Sequence, residues 1–171
     1  FHFTILAEET EAVKPALRAV GEQAELRNRR ILIVDDNATS RRILGLQTQS
    51  WGMQPRSTAS PLEALAWIRQ GEPFDLAILD LHMPEMDGLE LAAALRELRD
   101  QKSLPMVLLS SLGGNAGELQ TSLFAALLMK PVRPSSLFDT LYGIFVSAAS
   151  LSEAGPAAPA VPQPAAAPTA A

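Results

Sequence analysis

The feature that most constrains this chain is an alternation. Between residues 30 and 147, short apolar runs are separated by segments whose apolar residues recur at helical spacing. Ile31-Leu32-Ile33-Val34, Ala77-Ile78-Leu79 and Met106-Val107-Leu108-Leu109 are continuous and short, as expected of strands buried on both faces. Strands joined by helical crossovers pair in parallel, with helices covering both faces of one sheet. The expected class is therefore α/β, a doubly wound, five-stranded parallel sheet. All the strands of such a sheet deliver their carboxyl ends to one edge, and ligands bind outside that edge.

The pattern predicts strands over 30–35, 53–58, 75–80, 106–110 and 125–129, and helices over 38–50, 61–70, 89–100 and 116–123. A last helix starts near Ser135 and carries Leu137, Phe138, Leu141, Ile144 and Phe145 at helical spacing. Ile43, Leu46 and Trp51 are the expected apolar face of the first helix, with Gly52 as its stop. Ser60 is the expected N-cap of the second, Pro61 its first residue and Gly71 its stop. Gly113, Gly114 and Gly117 make a soft loop around the start of the fourth.

The remaining chain does not extend this pattern. Residues 1–7 read as a single strand with no partner nearby. Residues 8–29 are charged, Ala-rich and interrupted by Pro15, which reads as a linker. Residues 148–171 are Ala and Pro repeats that cannot form a core, a semi-rigid linker. The globular domain is thus expected over 30–147, in a piece of a longer protein. A net charge of −5 argues against a nucleic-acid-binding surface. The absence of cysteine excludes disulfides and thiolate metal sites and fits a cytoplasmic setting. No apolar run reaches membrane-spanning length, so no membrane contact is expected of this fragment, although a parent chain could still be membrane-anchored.

The chemistry lies at the strand ends. Asp35 and Asp36 follow the first strand, Asp80 ends the third, Ser110 the fourth, and Lys130 follows the fifth. Each alone has an ordinary role as a helix cap, a turn residue or a solvated charge. Together they put acids, a hydroxyl and an ammonium on one edge. Converging carboxylates repel unless a cation sits among them, and a hard divalent ion takes oxygen ligands. Phosphoryl transfer to a carboxylate suits this set. An aspartate can act as nucleophile, Mg2+ offsets charge, the ammonium pairs with a phosphoryl oxygen and the hydroxyl donates to another. Asp80 stands between a buried strand and a loop marked by Pro84 and Asp87-Gly88, which makes it the candidate acceptor.

Residues from Arg30 to about Ser147 resemble a receiver domain of the two-component signalling family. The resemblance is carried by Ile-Val-Asp-Asp-Asn at 33–37, Leu-Asp-Leu-His-Met-Pro-Glu-Met-Asp-Gly at 79–88, Leu-Leu-Ser-Ser at 108–111 and Met-Lys-Pro at 129–131. It implies the flavodoxin-like receiver fold with strand order 2-1-3-4-5, for which the receiver fold is itself a reference example. It implies that Asp80 takes a phosphoryl group from a phosphohistidine. Mg2+, or Mn2+ in its place, would be held by Asp36, Asp80 and the backbone carbonyl of His82, with Asp35 acting through water. Ser110 becomes the switch hydroxyl and Lys130 the phosphate-pairing cation. A cis Lys130–Pro131 peptide is implied as well. The partners implied are a histidine kinase phosphodonor domain, a histidine phosphotransfer domain, or both.

One position departs from the family pattern. Receivers usually carry an aromatic residue three positions before the Lys, and here that position is Leu127. Signalling is then expected to run through the Gly-rich segment from 113 to 117 and the start of the fourth helix. Phe1-His2-Phe3-Thr4-Ile5 resembles the last strand of a histidine-kinase ATP-binding domain. Joined to a receiver, it implies a hybrid sensor histidine kinase as the parent, while the fragment itself would catalyse only its own phosphotransfer and dephosphorylation. The competing readings are a Mg2+-dependent phosphatase with an aspartyl-phosphate intermediate, a flavodoxin-like cofactor binder, and a degenerate receiver used only for docking. The first expects its nucleophile in an Asp-x-Asp after strand one, where this chain has Asp35-Asp36-Asn37.

Overall fold

The computed structural model describes residues 24–111 and 121–153. Five strands, β1 (Arg30–Val34), β2 (Gln54–Thr58), β3 (Leu76–Asp80), β4 (Met106–Ser110) and β5 (Ala126–Met129), form one sheet in the order β2-β1-β3-β4-β5. Every neighbouring pair is parallel. The α-helices among the described residues are α1 (Ala38–Ser50), α2 (Pro61–Arg69), α3 (Gly88–Leu98) and α4 (Pro134–Glu153).

Burial follows strand position. All residues of β3 and β4, and all of β1 after Arg30, are buried. These central strands are the continuous apolar runs of the sequence. β2 and β5 are edges and are only partly covered. The edge position also explains Pro55, which pairs with Ile31 in β2 and has no N–H to give to a further strand. Alternate residues supply two cores. Leu32, Val34, Ala77, Leu79, Met106 and Leu108 pack against α2 and α3. Ile31, Ile33, Leu76, Ile78, Val107 and Leu109 pack with Leu44 of α1 and Leu137, Phe138, Leu141 and Phe145 of α4.

The helix punctuation is local. Asn37 caps α1 by accepting from the N–H groups of Thr39 and Ser40, and Ser60 caps α2 ahead of Pro61. Gly52 and Gly71 follow helices with φ of +82° and +81°, which side-chain-bearing residues adopt only under strain.

The expected face of α1 needs correction. Ile43 and Leu46 are 48% and 58% exposed, whereas Leu44 and Thr48 are buried and Trp51 is half-buried. Residues 44, 48 and 51 share one stripe, a single step round the helix from the stripe expected. Thr48 is accommodated because its hydroxyl donates to the carbonyl of Leu44 at 2.8 Å. The end of the expected linker also differs. Leu26 is fully buried in the core beside α4, and the Arg29 guanidinium lies 4.8 Å from the Phe145 ring centre. At the other end α4 continues to Glu153, past residue 147. The helix expected over 116–123 lies largely outside the described residues, and its end, Thr121–Leu123, is a single 3-10 turn.

Candidate functional site

The parallel sheet carries the chemistry-bearing residues to one edge because each sits at, or one residue past, a strand end. Asp35 extends β1 by one step, donating its N–H to Thr58 at the end of β2 at 3.3 Å. Asp80 ends β3 and pairs in register with Leu109, so Ser110 lies one residue further along the neighbouring strand. Lys130 extends β5, donating its N–H to the Ser110 carbonyl at 2.8 Å. The Lys130–Pro131 peptide is cis, as the resemblance implied.

These placements bring side chains together. Lys130 Nζ is 2.9 Å from Asp35 Oδ2 and 2.9 Å from Asp80 Oδ1. The first contact is a hydrogen bond, whereas the second is an ion pair at bonding distance but outside hydrogen-bond geometry, and Asp80 Oδ1 accepts no other hydrogen bond. Asp35 and Asp80 are buried and Asp36 is exposed. Burial works to lower the Lys130 pKa, but the two carboxylates of Asp80 and Asp35, each 2.9 Å away, outweigh it and hold the ammonium above its ordinary value. Ser110 is buried at the same edge. The His82 side chain is exposed and stands outside the acid group.

The loop after β3 is fixed by short-range bonds. Leu81 N–H donates to Leu109 O at 2.8 Å, and Gly88 N–H donates to Leu81 O at 2.9 Å. Asp87 and Glu90 form a reciprocal capping box at the start of α3. Gly88 presses on the end of β3 itself: a Cβ there would stand 2.3 Å from the Asp80 carbonyl oxygen. Two contributors were not singled out from sequence. Gly88 was read only as a loop marker. Arg41, whose guanidinium donates to the Asp35 carbonyl at 2.6 Å, looked like any cation on a helix.

The donor set suits a hard cation. One carboxylate oxygen from each of Asp35, Asp36 and Asp80 can be chosen so that all three lie within 4.8 Å of one another. Carboxylate oxygens gathered this closely are the donors a hard divalent cation such as Mg2+ takes, so these residues would fit one. The Lys130 ammonium pairs with the two buried carboxylates, Asp35 and Asp80, and Asp36 adds a third negative charge beside them, so a divalent cation would offset the remaining charge.

Residues 31–142 match the family model for the response regulator receiver domain. The chain belongs to that family. It is a receiver domain of a two-component system. It is 36% identical over 112 residues to the cyclic di-GMP phosphodiesterase response regulator RpfG of Xanthomonas campestris, covering 63% of this chain and 29% of RpfG. It is 33% identical over 119 residues to hybrid signal transduction histidine kinase L of Dictyostelium discoideum, covering 66% of this chain and 7% of that protein. The receiver thus spans less than a third of these relatives. Among solved structures, the response regulator TrrA of Thermotoga maritima, in complex with Mg2+-BeF, is 27% identical with a TM-score of 0.61, covering 68% of this chain and 98% of TrrA. Receivers as a family bind Mg2+, and in hybrid kinases they work with histidine kinase or phosphotransfer domains. No helix among the described residues is long and apolar enough to cross a membrane.

Proposed function

We propose that Asp80 is the phosphoacceptor of this receiver, taking a phosphoryl group from a phosphohistidine. An Asp80 carboxylate oxygen attacks phosphorus, the P–N bond breaks, and the imidazole nitrogen leaves with the electron pair and is reprotonated. Lys130 holds the acceptor in place before transfer and pairs with a phosphoryl oxygen afterwards. Ser110 donates its hydroxyl to another phosphoryl oxygen, and Asp35 keeps the ammonium at the edge. Asp36, Asp80 and the His82 carbonyl, with Asp35 through water, would hold Mg2+. The ion, when bound, neutralises charge on the acids and the phosphoryl oxygens.

The observation that carries this reading is the Lys130 ammonium held 2.9 Å from both Asp35 and Asp80 at the carboxyl edge, with Asp36 open to solvent beside them. The donor is a kinase phosphodonor domain or a histidine phosphotransfer domain, and the parent is a hybrid histidine kinase. The likeness to histidine kinase L supports that parentage. The test is intact mass after Mg2+ and acetyl phosphate. A gain of one phosphate, absent without the ion and absent in Asp80→Asn, is expected. A full gain in Asp80→Asn, mapped to Asp35 or Asp36, would overturn the assignment.

A further inference from the structure

Among the described residues, Asp36 is the one acid of the cluster whose side chain is held by no hydrogen bond or ion pair, and it is exposed. Its position is therefore set by the two peptide units that flank its Cα. The peptide between residues 36 and 37 is pinned by the Asn37 N–H, which donates to Asp35 Oδ1 at 2.8 Å. The peptide between residues 35 and 36 is pinned through its carbonyl, which accepts from the Arg41 guanidinium at 2.6 Å. The two pins differ in kind. The first depends on the Asp35 carboxylate, a member of the acid cluster whose other oxygen Lys130 holds. The second comes from the first turn of α1, whose start is fixed by the Asn37 cap and by the Arg41 N–H donating to Asn37 O at 3.0 Å.

We propose that Arg41 is a positioning residue for Asp36, fixing the peptide that carries it and so setting the affinity of the acid cluster for a divalent cation. The proposal rests on reading that cluster as the cation site. Two effects of Arg41 oppose each other. Its charge disfavours a second cation nearby, while its hydrogen bond holds a ligand in place. Arg41 is only half-buried, so solvent and salt screen its charge, whereas the short directed bond to the carbonyl is local and is not screened in that way. The holding effect therefore dominates. Lys cannot replace it, because it keeps the charge without the planar fork that reaches the carbonyl.

The experiment is calorimetric titration of Mg2+ alone into wild type, Arg41→Lys and Arg41→Gln. A parallel measurement follows phosphate gain from acetyl phosphate by intact mass across a Mg2+ series. Both variants should bind the ion about threefold to tenfold more weakly, the loss of one charge-assisted hydrogen bond at a half-exposed site. Raising Mg2+ should recover their phosphorylation rate. Equal or tighter binding by Arg41→Gln would mean that the holding effect does not outweigh charge repulsion, and would overturn the proposal. So would a slowed rate that extra Mg2+ does not recover, with unchanged affinity. If Arg41→Gln does not fold, the Arg41→Lys comparison decides alone. Weaker Mg2+ binding by the variants, with no phosphate gain even in wild type, would keep the Arg41 assignment and overturn the acceptor reading.

Discussion

Asp75 and Asp80 bracket the same strand, and they live differently. Asp75, just before β3, accepts from the Arg30 N–H at 2.7 Å and lies 3.5 Å from the Arg29 guanidinium. Asp100, at the same end of the molecule, accepts from the Ser103 N–H at 2.7 Å. These carboxylates are each met by donors of their own. Asp80, at the other end of β3, shares one ammonium with Asp35 and faces Asp36. The difference is one of matching. Acids that hold the fold are satisfied locally, whereas the acids gathered at the carboxyl edge converge and leave charge for a ligand to offset.

The sharpest break in this comparison is Asp80→Asn. It should abolish phosphorylation while leaving the metal-free melting temperature equal to wild type or higher, since one of three converging charges is gone. Thermal melts without Mg2+ check this, and a drop larger than that of Asp75→Ala would mean that Asp80 is a structural acid after all. Gly88→Ala comes next. The added Cβ meets a backbone carbonyl, which no rotamer can relieve. It should cost about 2 kcal/mol and slow phosphate gain at Asp80. Denaturant unfolding beside the mass assay tests both parts, and an Ala variant matching wild type would show that the loop yields freely.

Asp75→Ala should do the reverse of Asp80→Asn: about 1 kcal/mol of stability lost and the phosphorylation rate unchanged. The smallest effect belongs to Asp100. The Ser103 N–H and hydroxyl hold its carboxyl below the ordinary value. A depressed carboxyl contributes stability that is present above its unfolded pKa, about 3.9, and lost as pH falls through the folded one. Asp100→Asn should therefore leave slightly less stability to lose between neutral pH and pH 3, which paired acid titrations of the melt would detect. An identical pH dependence in the variant would place Asp100 with the solvated charges.

The sequence by itself determined the class, the strand spans to within a residue or two and the edge on which Asp35, Asp36, Asp80, Ser110 and Lys130 gather. Those follow from local pattern: short apolar runs, caps and stops act over a few residues, and parallel pairing then sends every strand end the same way. The order of the strands was legible through the family resemblance rather than through spacing, and the roles proposed at the edge rest on that same resemblance. Tertiary structure alone decided the rest. Lys130 meets Asp35 across 95 residues of chain, and no periodicity encodes that distance. The phase of α1 was settled by which stripe faced the sheet, putting Leu44 and Thr48 inside and leaving Ile43 and Leu46 exposed. Leu26 joined the core on the α1 and α4 side of the sheet, outside the span of the repeating pattern. Gly88 has no room for a Cβ because α3 starts against the carbonyl of Asp80. Packing between distant segments fixes these contacts, and a chain read one window at a time does not contain them.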